Sequence, residues 1–475
     1  MLSLRRERLI LSKQEPVDPC MQYLLFFKSI TKKYILERMR TMDWKETYKA
    51  RSGDINQVFK NVKDGDVILM SGATASPNAS AVALANRLRD DDIKHVVIIA
   101  GLPLSIPYLA DDIKHKVEFR TMFTSGGVRK HINEESGEYL PIYLKDWGFG
   151  VGPMLKPDVL IVTVASPDDF GLCSLSLFNL YIYQAMKYAK LTIAEVNPNY
   201  PRTQGECSHY HVSEFDYFVE SNTTPFALPK APIGPIEEAI GRYIAEYIKD
   251  GDCLQLGIGS IPDAVLSFLK DRKDLGVHTE MFSDGIMDLW KEGVVTCKRK
   301  NYHEGKIVTG FVMGSLEFYK WLDNNPMIML VPGEYSNDPN VIGRNDNLVS
   351  INSCVEMDFF GQASSESIGG KMFSGIGGQV DFVRGAFNSK GGRSFLAFPS
   401  VAGKPGKLIS RIVPQLAAGT PVSTPRNDIE YVVTEYGVAN LRYKTMRERA
   451  VALIEISHPD FRADLRAQLE KMPWI

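Results

Sequence analysis

The chain has 475 residues, more than one hydrophobic core usually holds, so its length predicts two or three domains. Hydrophobic residues make up 44% and charged residues 24%, as in an ordinary globular protein, and the net charge of -2 gives no reason to expect nucleic acid or an acidic membrane surface as a partner. No apolar run reaches the roughly 18 residues of a membrane-spanning helix, so we expect no membrane span.

Residues 1–41 form a basic extension. They contain nine Lys or Arg and four Asp or Glu, which gives 9 − 4 = +5. A mitochondrial transit segment is basic but poor in acids, and a secretory signal needs a longer apolar region with a small-residue cleavage site. We therefore favour a translation start at Met42 over a targeting leader, and a cytoplasmic over a mitochondrial location.

A turn, strand, loop and helix pattern occurs twice. Residues 63–72 read KDGDVILMSG, and residues 249–259 read KDGDCLQLGIG. In each copy an Asp-Gly turn precedes a short apolar run and a glycine, and a helical pattern follows over 79–88 or 261–270. The spacing of 249 − 63 = 186 residues is too long for a solenoid and fits two duplicated α/β domains.

Further apolar runs predict parallel strands that are covered on both faces. They span 95–101, 158–165, 191–197, 327–333 and 429–437. With helical stretches between them, these runs predict an α/β fold of two similar open domains from an internal duplication. The proline-rich segment 223–241 would join these domains, so the predicted ranges are 1–41 for the extension, 42–228 for the first domain and 229–475 for the second.

The scattered cysteines and one histidine pair offer little support for a metal site. The six cysteines have no C-x-x-C spacing, which argues against a disulfide framework or a zinc site and predicts a reducing compartment. His209 and His211 have the spacing of a metal-binding pair, but no further ligand is apparent. We interpret the two histidines as polar loop residues and predict no metal.

The glycine turn at 257–259 resembles the first half of a dinucleotide-binding fingerprint. Pro262 stands where the third glycine belongs, which weakens that interpretation, and the acid 23 residues after Gly257, Glu280, lies in a turn segment. Ser260 and Pro262 predict a helix start with the Ser260 oxygen as its cap. The free N–H groups of this turn would then face an anion or a developing oxyanion.

A second glycine loop, residues 369–386, reads GGKMFSGIGGQVDFVRGA. Its glycines permit close backbone approach to a ligand, although a mobile surface loop is the alternative. The apolar residues Phe373, Val380 and Phe382 favour an ordered loop over a flexible linker.

Several segments in this order resemble one family. They include GIGSIPDAV, HTEMFSDG, INSCVEMDFFGQASSESIGG, SGIGGQVDFVRGA and VVTEYGVANL, and the resemblance covers nearly everything from Met42 onward. The chain thereby resembles the acetyl-CoA hydrolase/transferase branch of the class I coenzyme A transferases, and within it the 4-hydroxybutyrate CoA-transferases and butyryl-CoA:acetate CoA-transferases. This resemblance implies two similar α/β domains, as the internal repeat also does.

The resemblance also implies the roles of individual residues. Glu280 matches the catalytic glutamate, which attacks an acyl-CoA and then carries CoA as a thioester, and Ile258 and Gly378 match the N–H donors of an oxyanion hole. The implied CoA-binding residues are Gly257, Ile258, Gly259, Ser260, Ile261, Val355, Gly378 and Lys404.

By the same resemblance, CoA is a substrate and a covalent intermediate, and no cofactor is held permanently. The expected partners are an acyl-CoA, such as 4-hydroxybutyryl-CoA or butyryl-CoA, a short-chain acid such as acetate, and further copies of the chain in a homodimer or larger homo-oligomer. Three alternatives stay open at this point: a hydrolase that uses the same glutamate, a non-catalytic ligand-binding protein, and a nucleotide-dependent oxidoreductase.

Overall fold

The structure is a computed structural model, and it describes residues 43–135 and 137–475. The predictions for the extension 1–41 and for a start at Met42 lie outside the described residues. The structure divides into two units between Ala50 and Arg51, and the second unit runs to Ile475. We call residues 51–228 the first half and residues 229–475 the second half of this larger unit.

The first half is built around parallel strands with helices between them. The helices, counting the one that begins just before this half, are α1 Trp44–Arg51, α2 Ile55–Phe59, α3 Asn78–Arg87, α4 Arg129–Glu134, α5 Trp147–Phe149 and α6 Ile182–Tyr188. The strands are β1 Val67–Met70, β2 Val96–Ala100, β3 Val117–Thr121, β4 Glu138–Tyr139, β5 Val159–Val164, β6 Leu172–Ser174, β7 Leu191–Val196, β8 His209–His211 and β9 Tyr217–Glu220.

The second half repeats this alternation and adds several short hairpins. Its helices are α7 Pro235–Ala245, α8 Ser260–Ser267, α9 Asp284–Lys291, α10 Leu316–Leu322, α11 Gly333–Ser336, α12 Pro339–Ile342, α13 Gln379–Asn388, α14 Met446–Glu455 and α15 Pro459–Glu470. The strands up to the long glycine loop are β10 Cys253–Leu256, β11 Gly276–Val277, β12 Met281–Phe282, β13 Ile307–Thr309, β14 Phe311–Val312, β15 Ile328–Leu330, β16 Leu348–Asn352, β17 Glu356–Asp358, β18 Ala363–Ser364, β19 Ser367–Ile368 and β20 Lys371–Met372. The remaining strands are β21 Arg393–Ala397, β22 Val401–Lys404, β23 Lys407–Ser410, β24 Ile412–Val413, β25 Tyr431–Thr434 and β26 Gly437–Asn440.

Each half contains one large sheet. In the first half the order is β4-β3-β2-β1-β5-β7-β9, and all neighbours are parallel. In the second half the order is β11-β10-β16-β21-β25-β26, and only the last pair is antiparallel. Every residue of β5 and β10 is buried, as parallel strands covered on both faces require. The predicted α/β fold is confirmed, whereas the boundary at residue 228 stays a prediction.

The two KDGD turns have the same geometry. Gly65 has φ 82° and Gly251 has φ 81°, a left-handed conformation that favours glycine. In each turn the second aspartate accepts the N–H of the lysine at 2.7 Å, in the pairs Asp66 with Lys63 and Asp252 with Lys249. Strand β1 follows the first turn and β10 the second, so the repeat predicted from the sequence is also a structural repeat.

All five predicted apolar runs contain a strand, but two local predictions are wrong. Helix α8 begins at Ser260 itself, with Gly259 (φ 117°) before it and no side-chain cap, because this glycine conformation places Ser260 inside the first turn. His209 and His211 lie on β8, which pairs with β6, and not on a loop. Over residues 43–135 and 137–475, no helix is long and apolar enough to cross a membrane.

Candidate active site

A cavity of about 480 Å³ lies where the two halves meet. Its walls come from the segments after β2 and β3 in the first half, and from the segments after β10 and β16 in the second. Ligands of parallel α/β sheets bind at the carboxyl ends of strands, where the connecting loops can vary without disturbing the sheet. The cavity therefore has the position expected of a functional site.

The lining residues differ in character between the halves. Both halves supply apolar side chains, and the second half also supplies the glycine loops, the side-chain amides and one carboxylate. The first-half lining is Leu102, Leu104, Phe123, Ser125, Gly126, Arg129, Leu144, Trp147, Phe178, Leu180 and Leu228. The second-half lining includes Gln255, Leu256, Gly257, Ile258, Glu280, Met281, Phe311, Met313, Asn352, Ser353, Ser365 and 374–379.

The backbone of Glu280 is fixed between two strands. Its carbonyl oxygen accepts the N–H groups of Gly310 at 2.9 Å and Phe311 at 3.1 Å, and the Thr309 hydroxyl at 3.1 Å. The preceding residue, Thr279, donates its hydroxyl to the carbonyls of Leu256 and Met281. The Glu280 side chain therefore starts from a backbone with little freedom to shift.

The Glu280 carboxylate faces the cavity with two donors beside it. Its Oε2 accepts the Asn337 side-chain N–H at 3.0 Å, and the Gly378 N–H also donates to the carboxylate. Burial raises the pKa of Glu280 to about 7, although both hydrogen bonds favour the ionised form. A carboxyl with this pKa is ionised for much of the time near neutral pH and lacks a full water shell, so it can act as a nucleophile.

Gly378 cannot carry a side chain in this arrangement. A Cβ atom there would lie 2.0 Å from Glu280 Oε2 and 2.1 Å from Asn337 Nδ2. Its φ of -97° is ordinary, so the reason for glycine is the close approach of the carboxylate and not backbone strain.

Asn337 connects Glu280 to a second acid. The Asn337 amide is fully buried, accepts the Ser336 hydroxyl at 2.8 Å and also donates to Asp381. Burial and the nearby charge of Glu280 raise the pKa of Asp381 well above its usual range. The amide orientation is thus fixed from three sides, which holds its N–H toward Glu280.

The first half supports the glycine loop of the second half. Backbone N–H groups of Leu144 and Thr124 donate to the carbonyls of Gly377 at 3.3 Å and Ser374 at 3.1 Å. The Lys145 N–H donates to the Asp381 carboxylate at 3.1 Å. These bonds fix the conformation of residues 374–378, which bring the Gly378 N–H to Glu280.

The chain matches two family models that cover most of its length. One describes the acetyl-CoA hydrolase/transferase N-terminal domain and matches residues 36–229, and the other describes the C-terminal domain and matches residues 314–469. The chain belongs to the acetyl-CoA hydrolase/transferase family.

Relatives in this family match the chain almost from end to end. It is 43% identical over 439 residues to the 4-hydroxybutyrate coenzyme A transferase of Clostridium kluyveri, covering 90% of this chain and 100% of the relative. It is 36% identical over 440 residues to the butyryl-CoA:acetate CoA-transferase of Anaerostipes caccae, covering 90% and 98%. The crystal structure of RipA from Yersinia pestis superposes with a TM-score of 0.87 at 36% identity, over 91% of this chain and 100% of RipA. The protein is accordingly an enzyme of the CoA-transferase type.

Some residues implied by the family resemblance meet in the cavity, and others lie outside its lining. Glu280, Gly257, Ile258 and Gly378 line it, and Ile258 is 44% exposed. Residues 259–261 form the entry to α8 beside it. Their assigned roles stay predictions.

The other two implied residues do not line the cavity. Val355 donates its N–H to the Ser364 carbonyl at 2.7 Å, two residues beyond the lining residue Ser353. Lys404 ends β22 on an exposed hairpin and does not line the cavity. A role in CoA binding would require these two residues to contact the part of CoA that extends beyond the cavity.

Sequence reasoning missed Asn337, Asp381 and the apolar walls from the first half. Asn337 follows the short helix α11 in a segment without periodicity, so no local pattern marked it. Asp381 lies within the glycine-loop segment GGQVDF, but Asn337, which contacts it in the structure, is 44 residues away in the chain. Among the described residues, no group of three or more His, Cys, Asp or Glu side chains is placed to hold a metal ion.

Proposed function

We propose that this enzyme transfers coenzyme A between a short-chain acyl-CoA and a carboxylic acid, with Glu280 as the nucleophile. The observation that carries the proposal is the Glu280 carboxylate, which faces the cavity between the Asn337 amide and the Gly378 N–H. Membership of the family agrees with it.

In the first half-reaction, a Glu280 oxygen attacks the thioester carbonyl. The carbon–sulfur bond breaks, CoA leaves as thiolate, and an acyl–glutamyl anhydride forms. The thiolate then attacks the glutamyl carbonyl, which releases the acyl group as a free carboxylate and leaves a glutamyl–CoA thioester. A second carboxylate reverses these steps, so the kinetics are ping-pong.

Negative charge develops on a carbonyl oxygen in each of these steps. Ile258 and Gly378 line the cavity, and we propose their N–H groups as donors to that oxygen. Loss of one such donor typically costs on the order of 10²–10³ in rate. Residues 257–261, Val355 and Lys404 are our proposed contacts to CoA, whose binding would hold the thioester against Glu280.

The apolar part of the cavity supports an aliphatic acyl group. Leu144, Trp147, Phe178 and Leu180 line it, yet each is at most 2% exposed. Such a wall removes apolar surface from water but offers nothing to a charged chain end. The wall therefore supports butyryl as the acyl group, and from the family resemblance we also propose 4-hydroxybutyryl as an acyl group and acetate as the acid.

The experiment is to incubate the enzyme with butyryl-CoA alone and then search for CoA on the Glu280 peptide by mass spectrometry. We expect an adduct in the wild type and none in Glu280→Gln. Glu304→Gln, which removes an exposed acid, is the control. An adduct that persists in Glu280→Gln contradicts the assignment.

The same preparation distinguishes a transferase from a hydrolase. We expect butyryl-CoA consumption to require acetate or another acid from a panel, and the panel ranks the acceptors. Full turnover without an acid would instead identify an acyl-CoA hydrolase that uses the same glutamate.

We further propose that the enzyme is a cytoplasmic homodimer or larger homo-oligomer. The family resemblance supports the assembly, and the five described cysteines, all free, agree with a reducing compartment. Light scattering tests the assembly, because a monomer mass would contradict it, and cell fractionation tests the compartment.

A further inference from the structure

Arg129 is the cationic side chain among the cavity-lining residues that the structure describes. It lies at the start of α4 in the first half and is partly exposed. Glu280 is the acid in the same lining, so Arg129 is the other charge that a bound substrate meets there.

The Arg129 guanidinium is held in place from one side. Its Nε–H donates to the Phe373 carbonyl at 2.7 Å, and its central carbon lies 3.6 Å from the centre of the Phe373 ring. Cation–π stacking and the hydrogen bond together fix the plane of the group.

The supporting segments are joined as well. Asn133, on the same helix as Arg129, exchanges two hydrogen bonds of 2.8 Å with the backbone of Met372. This pair ties α4 to the strand that precedes Phe373, so Arg129 and its stacking partner move together.

The two terminal nitrogens of Arg129 are left for a ligand. Across residues 43–135 and 137–475, no acceptor bonds to them. By contrast, Arg87 uses its terminal nitrogens on Asp90 and Asp92. A guanidinium fixed through Nε with both terminal nitrogens free matches the two oxygens of a carboxylate or a phosphate.

We propose that Arg129 binds an oxyanion of the substrate with its two terminal nitrogens. This inference rests on the proposed function, because that function supplies the anions. The oxyanion is a phosphate of CoA or the carboxylate of the acid, and both have the same chemistry for a guanidinium.

The test compares Arg129→Gln and Arg129→Lys with the wild type. Gln removes the charge, and Lys keeps the charge but loses the planar pair of donors. Lys130→Gln is the control, since it removes a neighbouring exposed charge that does not line the cavity. We expect Arg129→Gln to raise the KM for one substrate, either butyryl-CoA or acetate, by about ten-fold or more. Arg129→Lys should reverse part of this rise, and kcat should change less than KM in both variants.

The KM values for acetate and for butyryl-CoA together identify which anion Arg129 binds. If Arg129 binds the acid, the KM for acetate rises and that for butyryl-CoA does not. If it binds a CoA phosphate, the KM for butyryl-CoA rises, and wild type and variant become equal with butyryl-pantetheine, which has no phosphate. Either result supports the proposal.

The proposal is overturned if neither KM changes by more than about two-fold. It is also overturned if the variants have a lower thermal stability and a lower kcat at unchanged KM, as a packing role on Phe373 predicts. A raised KM for butyryl-CoA that persists with butyryl-pantetheine also overturns it. If the wild type transfers no CoA, the proposed function fails instead. Calorimetric titration of CoA and acetate into wild type and Arg129→Gln then decides the role of Arg129, and equal affinities for both ligands reject it.

Discussion

Replacing Gly378 with alanine tests how closely the Glu280 carboxylate must be placed. The added Cβ would lie 2.0 Å from Glu280 Oε2, whereas real Cβ contacts essentially never fall below 3.0 Å, so the carboxylate or the loop must move by 3.0 − 2.0 = 1.0 Å. The Asn337 amide must move by a similar 3.0 − 2.1 = 0.9 Å. A misplacement of about 1 Å costs on the order of 10²-fold in rate, which is the fall in kcat that we expect.

The assay follows CoA exchange between butyryl-CoA and acetate, with thermal unfolding measured in parallel. Because the φ of Gly378 suits any residue, we expect the variant to fold. Gly127→Ala is the matched control, since a Cβ there meets nothing within 4 Å. If Gly378→Ala keeps a wild-type kcat, the close placement of Oε2 beside Gly378 is not required for catalysis, and our reasoning about the site is refuted.

Two further predictions concern the nucleophile and the apolar wall. Because burial raises the pKa of Glu280 to about 7 and only the ionised form attacks, kcat/KM for butyryl-CoA should rise with pH through about 7 and then level off. A flat pH–rate profile between about pH 5 and about pH 8 would contradict this assignment. Phe178→Ala should enlarge the apolar end of the cavity and shift preference from butyryl-CoA toward hexanoyl-CoA, at a cost of about 3–5 kcal/mol in the free energy of unfolding. An unchanged ranking in an acyl-chain panel, with folding intact, would show that Phe178 does not contact the acyl group.

Features with a local cause could be predicted from the sequence. The KDGD turns were predictable because an Asp-Gly pair before an apolar run favours a turn, and the structure shows the same lysine-to-aspartate bond in both. The start of α8 shows the limit of this reasoning. Ser260 has the composition of a cap, but the φ of 117° at Gly259 advances the helix by one residue.

The parts of the site that escaped prediction depend on contacts between distant segments. Asn337 reaches Glu280 from 57 residues away, and Leu144 supports Gly377 from more than 200 residues away. No periodicity or spacing in the chain encodes such a pairing, because it arises only when both sheets are in place. The family resemblance implied Glu280 and Gly378 but not the residues that hold them.

The support of the glycine loop by the first half has a consequence for how activity arises during folding. The Leu144 and Thr124 N–H groups that hold residues 374–377 belong to the first half, whereas Glu280 lies just before β12 in the second half. A second half folded alone would contain the glutamate but lack these donors and the apolar wall. The site that would activate a thioester is therefore complete only when both halves are in place.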